Sequence, residues 1–403
     1  MNILIIHAHT ANRGDEAAVH AMVDELLAVH PDAKITICIN GSTFYPNLPT
    51  SVTQIGRMPK LHTKLGLLDF LLLYHSHGHV CFRADTRRFK KLIAQADLVL
   101  HAPGGPSIGD IYQSVEKLYL YRLDLVRMMG KKYMFYAPSM GPFNNDIHTT
   151  LRKRVISSAA KVILRDPISV SYVQNFLPNV PVAQALDSAL QHDIDVAVNK
   201  AKLEEYRNLY EFLSNHDRVI GITVTDLKWH PKHGKTDLPL RIPKVFNAFV
   251  KHLTSVGYGV VFIPQLYGAG DDTTLMRSFM TDDPFMVAAN DEKYDTYFQQ
   301  YLIGQLYAVV GMRYHSNIFS AKMGTPFISV SYEQKMKGFM ESINLEEYCV
   351  DIDHLSLEIL EDKFDKLQDE HAHLAKHLLL KHDEMKNKSY TTTKAALELL
   401  GDK

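Results

Sequence analysis

The amino-acid sequence predicts an α/β fold of two domains, each a doubly wound parallel sheet. Short apolar runs rich in β-branched residues alternate with amphipathic stretches, first from Ile3 to Leu164 and again from Val219 to Val330. Runs of that kind read as strands buried on both faces. Their alternation with helices argues for parallel βαβ units. The chain has 403 residues, and a domain usually holds roughly 100–200 residues, so two domains are expected. A charged helical stretch from about Asp193 to Asp217 separates the halves. The expected division is residues 1–195, 196–355 and a C-terminal pair of helices at 356–403 that packs on the body.

The elements follow in order. Ile3 to Ile6 is the first strand, Asn12-Arg13-Gly14-Asp15 the loop after it, about Glu16 to Val29 a helix and Lys34 to Ile39 the next strand. Leu98 to His101 is a strand that ends at Ala102-Pro103-Gly104-Gly105-Pro106, and Tyr119 to Met129 is helical. Tyr133 to Tyr136 is a strand that ends at Ala137-Pro138-Ser139-Met140-Gly141-Pro142, and Val162 to Leu164 is one that ends at Arg165-Asp166. In the second half, strands are expected at Val219 to Val224, Gly259 to Pro264, Leu306 to Gly311 and Pro326 to Val330. Helices are expected at Val245 to Ser255, Tyr294 to Ile303 and Ser316 to Met323. One long helix is expected from Leu355 to His382, with Leu360, Phe364 and Leu367 on a single face, and a last one from Thr391 to Leu400. Ligands of such sheets bind beyond the carboxyl ends of the strands, so these polar loops are expected to converge on one cleft.

Composition excludes several classes. With 46% apolar and 22% charged residues, the chain can bury an ordinary core. A formal net charge of −1 lacks the basic excess of a general nucleic-acid binder. Cys38, Cys81 and Cys349 lie far apart without a C-x-x-C pair, which argues against a disulfide framework or a thiolate zinc site. The start Met1-Asn2-Ile3-Leu4-Ile5-Ile6-His7 has no basic n-region ahead of an h-region, so it does not read as a signal peptide. The longest apolar stretch, Leu65 to Tyr74, is broken by Asp69 and falls short of the about 20 residues that span a bilayer. A cytoplasmic protein is expected.

Four constellations carry candidate chemistry. In Asn12-Arg13-Gly14-Asp15, Gly14 permits close backbone approach, and the free N–H groups of a helix start favour an anion or a polar sugar. A plain turn with Asp15 as helix cap is the bland alternative. Gly104-Gly105 ahead of Asp110 is no G-x-G-x-x-G, so nicotinamide binding is weakly supported and a tight turn facing the cleft is the better reading. Arg165 at a strand end suits a bidentate phosphate or carboxylate, or else a salt bridge with Asp166 or a neighbour. The strongest block is Gly311-Met312-Arg313-Tyr314-His315, then Ser331-Tyr332-Glu333-Gln334-Lys335 after a small-residue helix. On an extended segment Arg313 and His315 share one face. Cations suit a small dianion, and a histidine can move a proton, although a lone histidine is more often structural.

At these residues the sequence resembles the polysaccharide pyruvyl transferase family. The ordered matches are Asn12-x-Gly14-Asp15, Gly104-Gly105 with Asp110, Ser139-Met140-Gly141-Pro142, Arg165-Asp166 with Ser169, and Asp187-Ser188-Ala189. The closing block runs from Gly311 through Arg313-x-His315 and Gly324-x-Pro326 to Tyr332-Glu333-Gln334-Lys335 and Gly338. Pro106 departs from the pattern, where a third small residue is common. The segment from Asn40 to Lys91 matches no motif and is locally basic through Arg83, Arg87, Arg88, Lys90 and Lys91.

The resemblance implies two Rossmann-like domains with parallel sheets facing a cleft, like the GT-B glycosyltransferases, with the acceptor on the first domain and the donor on the second. It also implies a reaction: phosphoenolpyruvate gives its pyruvyl carbons to two hydroxyls of a sugar, forming a cyclic ketal and phosphate, in exopolysaccharide or capsule biosynthesis. Phosphoenolpyruvate is then a co-substrate, and no cofactor or metal is expected. Arg313, Arg165 and Lys335 are expected on the donor, with His315 and Arg313 catalytic. Asn12, Gly14, Asp15, Gly104, Gly105, Asp110, Ser139, Asp166 and Tyr332 are expected to line the acceptor side or the cleft. The acceptor is a sugar, free or lipid-linked, and a lipid-linked one would bring this cytoplasmic protein to the inner membrane surface as a peripheral partner. A glycosyltransferase using a nucleotide-sugar fits the same architecture, as does a non-catalytic carbohydrate-binding protein. The Arg313-x-His315 block with Tyr332-x-x-Lys335 favours the pyruvyl transferase.

Overall fold

The computed structural model describes residues 1–41, 43–56, 59, 61–267, 271–279, 284–288 and 291–401. The chain forms two compact units. The first holds residues 1–11, 18–192 and 387–403, and the second holds 12–17 and 193–386.

The first unit contains β1 (Asn2–Ala8), most of α1 (Arg13–Val29), β2 (Lys34–Ile39), β3 (Thr53–Gly56), α2 (Lys64–His75), α3 (Ala84–Gln95), β4 (Leu98–His101) and α4 (Gln113–Met128). It continues with β5 (Tyr133–Tyr136), α5 (Thr149–Ser157), β6 (Lys161–Leu164), α6 (Pro167–Phe176) and β7 (Val182–Gln184). The described strands pair in the order β3-β2-β1-β4-β5-β6-β7, all parallel. Strand alternation sorts the core. Leu4 and Ile6 of β1 join one apolar cluster with Phe70, Phe89 and Phe135. Ile3 and Ile5 join another with Val19, Met22 and Leu100. Both faces of the sheet are therefore covered, which is why β1 and β4 are continuous apolar runs rather than alternating ones.

The second unit contains α7 (Val196–Glu205), α8 (Arg207–Ser214), β8 (Val219–Thr223), α9 (Leu238–Ser255), β9 (Gly259–Phe262), α10 (Thr273–Arg277), β10 (Phe285–Met286) and α11 (Thr296–Ile303). Then come β11 (Ala308–Gly311), α12 (Tyr314–Met323), β12 (Phe327–Ser331), α13 (Gln334–Ser342), β13 (Cys349–Asp351), α14 (Leu357–Asp369) and the first half of α15 (His371–Leu400), whose residues from Asn387 on belong to the first unit. The described strands run β10-β9-β8-β11-β12-β13, again parallel.

Each sheet reverses its strand order once. In the first unit the reversal lies between β1 and β4, and in the second between β8 and β11. Such switch points open a crevice at the carboxyl ends of the two strands.

Two expectations change, and one unread segment gains its elements. The long helix from Leu355 to His382 is two helices that break at Glu370, and the second runs on through Leu400. Tertiary contacts flank the break: the Tyr348 hydroxyl donates to Glu370 at 2.6 Å, and the His371 ring stacks on Tyr307 at 4.0 Å. Leu360, Phe364 and Leu367 are buried on one face of α14 as expected. The Asn40–Lys91 segment, without a motif, supplies β3, α2 and α3. Finally, α1 begins at Arg13, and Asn12, not Asp15, caps it: Asn12 Oδ1 accepts from the Gly14 N–H at 2.8 Å.

Candidate active site

The switch point of the second unit holds the strongest sequence block. Met312 N–H donates to the Thr223 carbonyl at 2.9 Å, and the Arg313 N–H donates to Thr223 Oγ1 at 3.2 Å. These bonds fasten the end of β11 to the end of β8. Arg313 is then the N-cap of α12, so His315 lies in the first helical turn, not on an extended strand end. Both side chains are nevertheless buried at this point, each 6% exposed. The start of α12 brings the positive end of the helix dipole to this point, a setting that favours anions.

Asp272 orders Arg313. Arg313 Nε donates to Asp272 Oδ2 at 3.1 Å, and Nη2 donates to Oδ1, a bidentate pair. Asp272 Oδ2 also accepts from the backbone N–H groups of Gln265 at 3.1 Å and Leu266 at 3.0 Å. Burial opposes the charge on Arg313, but Asp272 and Tyr332 outweigh it, so the guanidinium holds its proton more tightly than usual. Sequence reasoning missed Asp272. It belongs to a loop after β9, far along the chain from Arg313, and only folding joins them.

Gly14 explains the fit of His315. A Cβ at Gly14 would fall 1.9 Å from His315 Nδ1, so only glycine leaves room for the ring. Residues 12–17 are stitched into this unit by further bonds. The Arg13 N–H donates to the Gln265 carbonyl at 2.8 Å. Arg13 Nη1 donates to Glu16 Oε2 at 2.8 Å, while the Thr296 N–H reaches Glu16 Oε1 at 3.0 Å. Arg13 and Glu16 thus form a buried brace, and Gly14 is carried by it to His315.

The end of β12 brings Tyr332, Glu333 and Lys335. Lys335 Nζ pairs with Glu333 Oε2 at 2.6 Å, and His230 Nε2 lies 3.3 Å from Glu333 Oε1. His233 packs on His230 at 4.5 Å and its Nε2 bonds the Tyr332 carbonyl at 3.1 Å. Burial, with His230 beside it, lowers the His233 pKa. Burial raises that of Tyr332.

The loop after β8 also carries Trp229, whose ring lies 5.8 Å from the Arg313 guanidinium. Its Nε1–H donates to Thr225 Oγ1 at 3.1 Å. Leu227, two residues earlier, is held at φ 58°, a conformation that non-glycine residues rarely adopt and that tends to mark functional loops. Trp229 is 45% exposed and lines a cavity of about 690 Å³ together with Thr225, Asp226, Lys228, Asp271 and Asp272.

The remaining predicted residues belong to the first unit. Ser139, Arg165 and Asp166 come together in a buried network. Arg165 Nη1 donates to Asp187 Oδ2 at 2.5 Å and Nε donates to Ser139 Oγ at 3.0 Å, while Ser139 Oγ donates to Asp166 Oδ2 at 2.8 Å. Sequence reasoning gave Arg165 to the donor. In the structure its guanidinium is engaged by Asp187 and Ser139 and is 1% exposed, so it reads as a brace between the ends of β5, β6 and β7. Asp110 pairs with Arg152 at 3.0 Å. The Gly104 carbonyl accepts from the Ser139 N–H at 3.0 Å, Gly105 follows it half-buried, and no atom within 4 Å crowds a Cβ at Gly104.

The first unit's own switch point holds residues that sequence reasoning passed over. His7 stacks on Tyr119 at 4.1 Å and meets the edge of His101 at 4.8 Å. Tyr119 hydroxyl bonds His9 Nε2 at 2.9 Å, and Arg122 Nη1 donates to Asn40 Oδ1 at 3.1 Å. His7 is held at φ 66°, where the β1–β2 register slips between Ile5 and Ala8. Burial, then His101, Arg122 and His9, depress the His7 pKa, and burial lowers that of His101 to about 4. The available signal was the pair of histidines, His7 and His9, that follows the first apolar run.

Among the described residues, no group of three or more His, Cys, Asp or Glu is arranged to hold a metal ion, and no helix is long and apolar enough to cross a membrane.

Residues 12–334 match the family described as polysaccharide pyruvyl transferase. The chain is similar to the amylovoran biosynthesis protein AmsJ of Erwinia amylovora, with 23% identity over 404 residues that cover 88% of this chain and 89% of that one. Among solved structures it is similar to HepE of Anabaena in complex with UDP-glucose, at TM-score 0.60 and 11% identity over 99% of each chain. It is also similar to a UGT transferase of Siraitia grosvenorii in complex with UDP, at TM-score 0.58 and 11% identity over 100% of each. Identities this low speak for the fold alone: two Rossmann-like domains of the kind found in GT-B glycosyltransferases.

Proposed function

This chain belongs to the polysaccharide pyruvyl transferase family, and from that premise we propose that it moves the pyruvyl group of phosphoenolpyruvate onto two hydroxyls of one sugar. One hydroxyl oxygen bonds to carbon 2 as carbon 3 gains a proton, phosphate leaves, and the second hydroxyl closes the ketal. Of the two hydroxyl protons, one ends on carbon 3 and the other departs with phosphate. The reaction therefore needs an anion site beside a group that moves protons. The observation that carries the reading is the junction of Arg313, clamped by Asp272, with His315 in the first turn of α12. Arg313 and the helix start hold the anionic donor. Lys335 stands by at the start of α13. His315 gives or takes the proton.

Trp229 suggests where the acceptor ring lies. The cavity falls within the roughly 300–1,000 Å³ of small-molecule sites and exceeds what a three-carbon phosphate ester fills. Of its lining carboxylates, Asp226 pairs with Lys228 at 2.7 Å and Asp272 with Arg313, and the oxygens of this wall suit neutral hydroxyls that donate. A half-exposed indole, fixed through its N–H, offers a flat apolar face to a pyranose ring.

The test uses phosphoenolpyruvate and a panel of free and lipid-linked glycans, following phosphate release and a pyruvyl mass gain. Since Trp229 is the single tryptophan of the chain, its emission reports on the cavity in parallel. Glycan-dependent phosphate release and a glycan-induced emission change are expected. Release of nucleotide from a nucleotide-sugar, with phosphoenolpyruvate inert, would move the assignment to glycosyl transfer.

A further inference from the structure

The segment without a family motif has one property that the active site does not use. On α2, Leu65, Leu68 and Leu72 are 69%, 66% and 39% exposed. Their spacing of three and four places them on one face of the helix. Phe82, at 72% exposure, comes alongside: its N–H donates to Asp69 Oδ1 at 2.7 Å, and the Arg83 N–H donates to Asp69 Oδ2 at 3.1 Å. The helix that follows, α3, exposes Arg87, Arg88 and Lys91. Acidic residues do not balance them. Asp69 is buried under the two backbone bonds, and Asp85 is paired with Arg83 at 3.1 Å.

We propose that this face of α2 and α3 docks on the surface of an anionic lipid bilayer. Solvent-facing leucines and a phenylalanine cost free energy in water and gain it at the headgroup–acyl boundary. Flanking arginines and lysine are drawn to anionic headgroups. The basicity is local, since the whole chain has a formal charge of −1. A second copy of the chain is the competing occupant, and charge argues against it. In a two-fold contact the same patch meets itself, which sets Arg87, Arg88 and Lys91 near their own copies with no carboxylate between them. The face suits a layer to lie on rather than one to enter, because no described helix can span a membrane. The inference stands apart from pyruvyl transfer and places the enzyme where a lipid-linked sugar would be found.

The experiment is sedimentation of the full chain with vesicles of phosphatidylcholine alone and of phosphatidylcholine with phosphatidylglycerol. Binding to the mixed vesicles is expected, weakening as salt rises. Replacing Arg87, Arg88 and Lys91 together by Gln should weaken it about a hundredfold or more, at roughly 1 kcal/mol per charge. The triple change Leu65→Ser, Leu68→Ser, Phe82→Ser should abolish binding even at low salt. Turnover of a water-soluble glycan should stay at the parent level in both variants, which also shows that they fold. Three results would overturn the proposal: parent protein left in the supernatant with mixed vesicles, serine variants that sediment like the parent, or a solution dimer that the serine variants dissociate.

Discussion

Two switch points, built alike in the backbone, hold buried cations in opposite ways. At the β8–β11 point, Arg313 faces a carboxylate that is itself held by two backbone N–H groups. At the β1–β4 point, Arg122 is buried beside Asn40 and Tyr119, and among the described residues no carboxylate pairs with it. Burial accordingly lowers the Arg122 pKa, while Asp272 helps to raise that of Arg313. The lesson concerns preorganisation. A guanidinium clamped on one edge cannot wander, and it keeps its charge, as the proposed donor site requires. A guanidinium without a counter-ion adds to burial and His101 in keeping His7 neutral, a setting ready for added negative charge but not arranged around any.

The largest effect should come from breaking the clamp. Asp272→Ala removes one member of a buried pair and leaves Arg313 uncompensated, a change that typically costs about 3–5 kcal/mol. Denaturant unfolding should show that loss, and phosphoenolpyruvate binding should weaken with it. Unchanged stability would mean that Arg313 finds another partner, and the contrast with Arg122 would fail.

Gly14→Ala probes the same switch point more locally. A Cβ at 1.9 Å from His315 Nδ1 forces the ring to move. Positioned acid–base groups typically contribute about a hundredfold to ten-thousandfold in rate, so kcat should fall by at least about a hundredfold. Donor affinity and the fold should change far less, because Arg313 is fixed by other bonds. Near-parent kcat in the folded variant would remove His315 from proton transfer.

How much of this was legible beforehand follows from where each signal resides. The inner strands of both sheets stood out because strands such as β1, β4, β8 and β11 are buried on both faces and so are continuous apolar runs, whereas the short edge strands β3, β7, β10 and β13 went unread. Arg313, His315 and Gly14 were legible as loop residues at strand ends. Asp272 was not, because its role depends on a contact 41 residues away in sequence. Arg165 was open to two readings, because an arginine at a strand end looks the same in sequence whether it awaits a phosphate or meets a carboxylate such as Asp187. α2 went unread because its leucines occupy both faces, which erases the apolar–polar period that marks a surface helix. The helix break at Glu370 was hidden for the opposite reason. No glycine or proline marks it, and the contacts to Tyr348 and Tyr307 that flank it arise only on folding.

A third test addresses the neutral histidines. The folded pKa of His101 is about 4, against 6.5 as its ordinary value, and burial is the main cause. Below about pH 6.5 the unfolded chain takes up a proton that the folded chain refuses. Stability should thus be complete above that pH and decline as pH falls toward about 4, by on the order of 3 kcal/mol from this residue. His7, also depressed, adds in the same direction. Denaturant midpoints across this range should show the slope, and His101→Phe should flatten part of it. An equal slope in the variant would place the acid sensitivity elsewhere.

The smallest effect on stability should come from Arg122→Met, and its smallness is the point. Methionine keeps the length of the apolar stem and discards the charge. Nothing buried is orphaned in exchange except Asn40 Oδ1, which is near enough to solvent to find water, since Asn40 is only half-buried. A buried charge replaced by an apolar side chain of similar size is often neutral or stabilising. The denaturant midpoint near neutral pH should therefore stay within about 1 kcal/mol of the parent or rise. A second consequence ties this residue to the histidines. Arg122 is one of the charges that hold His7 deprotonated, so removing it lets His7 accept a proton more readily in the folded state. The decline of stability on acidification should become shallower in Arg122→Met than in the parent. A loss as large as that of Asp272→Ala would show that the charge on Arg122 is compensated within the folded protein, and the two switch points would no longer differ in kind.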